Sequence, residues 1–97
     1  MKVRYRLRAL ADIDEIRQYL EPRSPAGAFN VVQAIYASIR SIADQPYGFG
    51  RTDDPRVRMK VARPYRYKIF YSIIADDTVE ILHIRHASRR PRRGIVS

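Results

Sequence analysis

Two histidines and nineteen cations are the side chains in this sequence best able to do chemistry. His83 and His86 stand three residues apart in a segment that alternates like a strand. Alternation sends two such side chains to opposite faces, so they do not form a metal pair. There is no cysteine, and so neither a thiolate metal site nor a disulfide framework. The acidic doublets Asp53-Asp54 and Asp76-Asp77 lie among turn formers and read as turn residues, not as a general acid/base pair. No glycine-rich phosphate loop occurs. A metalloenzyme and a glycosidase are thereby excluded, and neither a metal nor a cofactor is expected.

What remains is cationic. Arg66 and Lys68 share one face of a predicted strand beside Phe70, and Arg58 and Lys60 recur at the same two-residue step on its neighbour. Arg85 closes the last predicted strand, with His86 and Arg89 following at once. Adjacent antiparallel strands lie ~4.8 Å apart, so these residues are expected to form one basic patch. Arg58, Lys60, Arg66 and Lys68 are its expected nucleic-acid contacts. Such a patch can hold a phosphate backbone and, in an enzyme, stabilise a pentacovalent phosphate. Tyr65, Tyr67 and Tyr71 alternate with the cations and share a face with Ile69 and Ile73, the spacing of core residues rather than of a base-stacking platform.

The bulk charge agrees with a polyanionic or acidic partner. Nineteen Lys and Arg against ten Asp and Glu give +9, and sixteen of the cations are Arg, which grips phosphate and carboxylate bidentately. The excess is concentrated. Residues 1–44 hold seven basic and five acidic groups, residues 45–97 twelve and five. No apolar run approaches the ~20 residues of a membrane span, and Met1 to Arg6 lacks an apolar signal core, so a cytoplasmic protein is expected.

The elements that must position these residues follow from periodicity. Val3 to Leu7 alternates apolar and basic residues and predicts a strand. From about Ala9, Leu10, Ile13, Ile16 and Leu20 form one helical stripe, with Asp12, Asp14 and Glu15 near the positive end of the helix dipole. Ser24 is the expected N-cap of a second helix, with Pro25 at its first position. Its stripe runs through Ala28, Val31, Val32, Ile35, Ile39 and Ile42 to about Asp44. Gln45 to Pro55 reads as loop. Strands are expected over Arg56–Val61, Tyr65–Ile74 and Thr78–Arg85, and their short connections predict an antiparallel meander. The sum is one α+β domain over 1–97, in the order β-α-α-β-β-β and in two layers, with a basic tail at 86–97.

This order resembles the RelE/ParE toxin family across nearly the whole chain. So do Ala11-Asp12-Ile13-Asp14-Glu15-Ile16, Pro46 through Gly50-Arg51, and Arg63-Pro64-Tyr65. The fullest match is Tyr67-Lys68-Ile69-Phe70-Tyr71, an acidic turn, and then Val79-Glu80-Ile81-Leu82-His83-Ile84-Arg85-His86-Ala87-Ser88-Arg89. The resemblance implies the toxin of a type II toxin–antitoxin pair, held in a hetero-oligomer by an acidic antitoxin encoded nearby. It implies one of two mechanisms. RelE-like members cut mRNA in the ribosomal A site without metal, using sheet-face Lys and Arg on the phosphate and a Tyr, His or Glu near the C-terminus for proton transfer. ParE-like members poison DNA gyrase.

The ending Arg85-His86-Ala87-Ser88-Arg89-Arg90 is similar to the His-x-x-Arg ending of the ParE branch, and no Tyr follows Tyr71. The leading reading is therefore a gyrase poison using Arg85, His86, Arg89 and Arg90. The second is a ribosome-dependent endoribonuclease, with Arg63, Lys68 and Arg85 neutralising the scissile phosphate and His86 as general acid or base. The third is a basic nucleic-acid-binding domain without toxicity.

Overall fold

The computed structural model describes residues 1–87. Seven elements follow in order: β1 (Lys2–Tyr5), α1 (Leu7–Leu20), α2 (Pro25–Asp44), β2 (Gly50–Arg51), β3 (Arg58–Ala62), β4 (Tyr67–Ala75) and β5 (Thr78–His86). The predicted α+β order holds, with one addition. The two-residue strand β2 lies inside the segment read as loop and pairs with the edge of β3.

The sheet runs β1-β5-β4-β3-β2. The expected meander is present, since β3, β4 and β5 pair antiparallel, while β1 lies parallel to β5 at the opposite edge. A parallel pair needs a long crossover, and here the helical hairpin and the meander together supply it.

Both helices pack on one face of the sheet. Ile13, Val31, Ile35, Ile39 and Ile42 meet Ala62, Tyr67, Ile69, Tyr71, Val79, Ile81 and Ile84 in a single core. The expected cap of α2 forms: Ser24 Oγ accepts from the Gly27 N–H at 2.9 Å, with Pro25 at the first helical position.

The start of α1 differs from expectation. Leu7 belongs to the helix and is 84% exposed, and Leu10 is 43% exposed, so Ala9 and Ile13 carry the buried stripe. No acid lies in the first turn of α1. Asp14 instead pairs with Arg17, and Asp12 reaches across to the sheet.

Candidate functional site: the two faces of the cationic sheet

Register decides which cations meet. Residues paired across adjacent strands point to the same face. Arg58 pairs with Tyr71, Lys60 with Ile69 and Ala62 with Tyr67, so Arg58 and Lys60 lie on the helix-facing side. Val61 pairs with Lys68, which pairs in turn with Arg85, so these lie on the side away from the helices, the open side in that no described helix packs on it. The single basic patch expected from alternation is divided between the two faces of the sheet.

The reason lies at the sheet edge. Arg58 donates to the carbonyls of Tyr47 and Phe49, at 3.3 and 3.0 Å, and stands 5.3 Å from the Tyr47 ring. Lys60 Nζ lies 4.2 Å from the centroid of Phe49. Their apolar stems flank the core while the charged heads fasten the segment before β2, as long cationic side chains do at a core margin. Together with Arg63, Lys60 also lines a groove of about 240 Å³ between α2 and β3.

Arg66 lies outside the strand where it was expected. It occupies the β3–β4 turn at φ 66°, its N–H bonded to Ala62 O and its carbonyl accepting from Ala87 N–H. Arg63, whose peptide bond to Pro64 is cis, begins the same turn; both Arg63 and Arg66 are exposed.

A register shift in β5 sets the chemistry of the open face. Tyr71 pairs with Ile81 but Phe70 pairs with His83, so Leu82 is an extra residue in β5. Such a bulge reverses the alternation beyond it. Ile84 thereby enters the core, and His83 and Arg85 turn to the open face. His86 returns to the helix side, opposite Tyr67, with ring centroids 5.0 Å apart and planes at 86°. The expectation that His83 and His86 point to opposite faces holds. Of the four residues expected for a nuclease, Lys68 and Arg85 stand together, Arg63 sits in the turn and His86 is on the opposite face.

His83 is the residue that the sequence reading passed over. Its ring stacks on Phe70 at 4.4 Å and 20°, and its Nδ1 is buried without a hydrogen-bond partner. Burial holds its pKa below the usual value, helped by Arg8, Arg85 and Arg6 and opposed by Asp12. The signal was available: Ile81-Leu82, two adjacent apolar residues inside an alternating strand, marks the bulge.

Among the described residues no group of His, Cys, Asp or Glu could hold a metal ion, and no helix is long and apolar enough to cross a membrane. Arg89 and Arg90, expected to contact the target, lie outside the described residues.

A sequence model described as "ParE toxin of type II toxin-antitoxin system, parDE" matches residues 3–91. The chain belongs to the ParE toxin family. Among curated relatives, this ParE-family chain is 34% identical over 89 residues to "Putative toxin Y4kP" of Sinorhizobium fredii, covering 92% of the chain and 91% of the relative. It is 35% identical over 83 residues to "Toxin RelE2" of Caulobacter vibrioides, covering 84% and 90%. Its fold matches a chain of the chromosomal ParDE system from P. aeruginosa at a TM-score of 0.76, with 23% identity, covering 89% and 95%. It matches the isolated E. coli RelE toxin at 0.64, with 16% identity, covering 92% and 86%. The protein is thus a type II toxin on the RelE/ParE fold.

Proposed function

We propose that this toxin arrests growth by binding DNA gyrase, through Arg85, His86, Arg89 and Arg90, and not by cutting mRNA. The observation that carries this reading is the division of the nuclease set. Lys68 and Arg85, the cations fit to hold a phosphate, share the open face, while His86 packs edge-on against Tyr67 on the other. A general base must reach the proton it removes within hydrogen-bond distance. His83 shares the cationic face, with one ring nitrogen buried and the ring stacked on Phe70, an arrangement of packing rather than of proton transfer. The match to the ParE family model supports the same branch.

The partner in this reading is an acidic antitoxin encoded nearby, which binds the toxin in the cytoplasm as a hetero-oligomer. An intact RelBE toxin–antitoxin complex of E. coli shares the fold at a TM-score of 0.65, which supports this arrangement. The net charge of +9 suits an acidic wrapping segment that orders as it binds.

The test combines purified gyrase with induced cells. The toxin is expected to block supercoiling and trap gyrase–DNA complexes, with a DNA damage response and intact transcripts in the cells. His86→Gln is expected to keep most of the growth arrest. Removal of residues 88–97 is expected to abolish arrest while circular dichroism still reports the fold. Cleaved transcripts from the wild type, lost in His86→Gln, would replace this reading with a ribonuclease.

A further inference from the structure

The gyrase reading leaves the groove between α2 and β3 unused. Ala34, Ala37, Ser38 and Ser41 recur at three- and four-residue steps and form its helix wall, and Lys60, Val61 and Arg63 form the other. Small side chains on the helix keep a trough of about 240 Å³ open at the sheet edge. Ser38 is only 9% exposed, and its hydroxyl makes no hydrogen bond among the described residues. The Ser41 hydroxyl, by contrast, donates to Ala37 O at 3.4 Å. A polar group so far buried is costly until a partner completes it. Ser38 lines the trough, so a ligand lying there can be that partner.

The strand wall offers backbone groups as well. Thr52 N–H donates to Val57 O, and Gly50 pairs with Met59, so residues 57 and 59 turn their backbone groups to the outer edge of β3. The two-residue period of a strand sends those of Val61 the same way. β2 reaches only Arg58 and Met59, and no described strand pairs with the outer edge of β3 beyond them. The free edge is therefore short. It runs from Lys60 to Ala62, about 10 Å at ~3.3 Å per residue, before the chain turns away at Arg63. A strand passing along it would run into β2. A chain end that enters past Arg63 and stops short of β2 would not.

Charge decides which chain end. Lys60 and Arg63 line the trough and no carboxylate does, so a free carboxylate is attracted there and a free amine repelled. Lys60 stands at the closed end, its Nζ over the ring of Phe49 just before β2. A helix beside an unpaired strand edge, with a cation where the edge stops, combines strand addition with capture of a terminal carboxylate. We propose that the α2–β3 groove binds the extended C-terminal end of a partner chain. The partner's backbone pairs with Val61, its carboxylate meets Lys60, and its last residues lie against Ala34, Ala37 and Ser38. The site shares no residue with the gyrase contact, so either assignment can fail while the other stands.

The test is an NMR titration of the isotopically labelled full chain with one acetylated peptide, glutamate-threonine-valine-serine-valine. The peptide is made with a free C-terminal carboxylate and again with that end amidated. The free acid is expected to shift the backbone N–H signals of Ser38, Val61 and Ala62. The amidated peptide is expected to bind about tenfold more weakly, having lost one charge-assisted contact. Lys60→Gln should lower affinity for the free acid by a similar factor and leave that for the amidated peptide within about twofold. Ala37 is exposed, so Ala37→Leu fills the trough from its rim without entering the core, and it is expected to abolish binding of both. Arg40→Gln, elsewhere on α2, should change neither. Circular dichroism checks that each variant is folded. Equal affinity of the two peptides, binding that survives Ala37→Leu, shifts centred on the β1 edge, or no binding would each overturn the site. Shifts reproduced by inorganic phosphate alone would overturn it in favour of a small-anion site, and concentration-dependent shifts without peptide in favour of a second copy of the chain.

Discussion

The carboxylate of Asp12, on the second turn of α1, accepts a hydrogen bond from the backbone N–H of Ile84 at 2.9 Å. β1 pairs with β5 from Thr78 to Ile81, and beyond that point the outer edge of β5 has no neighbouring strand among the described residues. Asp12 supplies there what a strand would have supplied. It couples the helical layer to the segment that bears His83 and Arg85.

Asp12→Ala should therefore cost more than an exposed helix substitution. It leaves a partly buried N–H unsatisfied, a loss of about 1–3 kcal/mol. Asp12→Asn keeps an acceptor and loses only the charge facing Arg8, so its cost should be the smaller of the two. Urea denaturation of the two variants checks the order, and equal loss would show that charge rather than the hydrogen bond matters.

Tyr71 makes the corresponding link at the other side of the core. It is fully buried, and its Oη donates to Pro46 O at 2.6 Å, tying β4 to the end of α2. Tyr71→Phe removes the hydroxyl and leaves a buried carbonyl without its donor. The expected loss is about 1–3 kcal/mol in chemical denaturation, with the segment before β2 exchanging its amides faster.

The turn between β3 and β4 stores strain at Arg66. A non-glycine residue at φ 66° lies in the left-handed region, which costs roughly 1–2 kcal/mol. Asparagine tolerates that region better without the unfolded-state entropy that glycine adds. Arg66→Asn is expected to raise the thermal midpoint, by a part of the roughly 1–2 kcal/mol that the left-handed region costs. A lowered midpoint would mean that the Arg66 side chain contributes more than its backbone costs.

His83 makes stability depend on pH in a direction fixed by its environment. Burial and the surrounding arginines hold its pKa below the usual 6.5. As pH falls through about 6.5, the unfolded chain takes up the proton before the folded chain does. The contribution is therefore complete above pH 6.5 and is lost as pH falls toward the lower folded value. Asp54, held below its usual 3.8 by hydrogen bonds from Arg56, loses its contribution only in more acidic solution. Urea midpoints measured from about pH 7.5 to 5 should fall for the wild type and stay flatter for His83→Leu. Parallel slopes would place the titration elsewhere.

The sequence by itself determined the two helices, the longer strands and their order, but neither the short strand β2 nor the start of α1. The stripe Val31, Ile35, Ile39 and Ile42 specified α2, and Ser24-Pro25 set where it begins, because capping and periodicity are local properties of the chain. The order of the elements and the segments from Tyr67 to Arg89 carried the resemblance to the toxin family, while the count of cations pointed only to a polyanionic or acidic partner. Which cations stand together was decided only in three dimensions. One extra residue at Leu82 reverses every side chain after it, so His83 and Arg85 face outward, and Ile84 and His86 inward. Arg58 and Lys60 keep the two-residue step of the sequence but lie on the helix side, because the sheet edge lets their stems skirt the core while their heads reach Tyr47 and Phe49. Alternation fixes a face only relative to its neighbours on the same strand. The absolute face, and with it the site, depends on register between strands that are far apart in the chain.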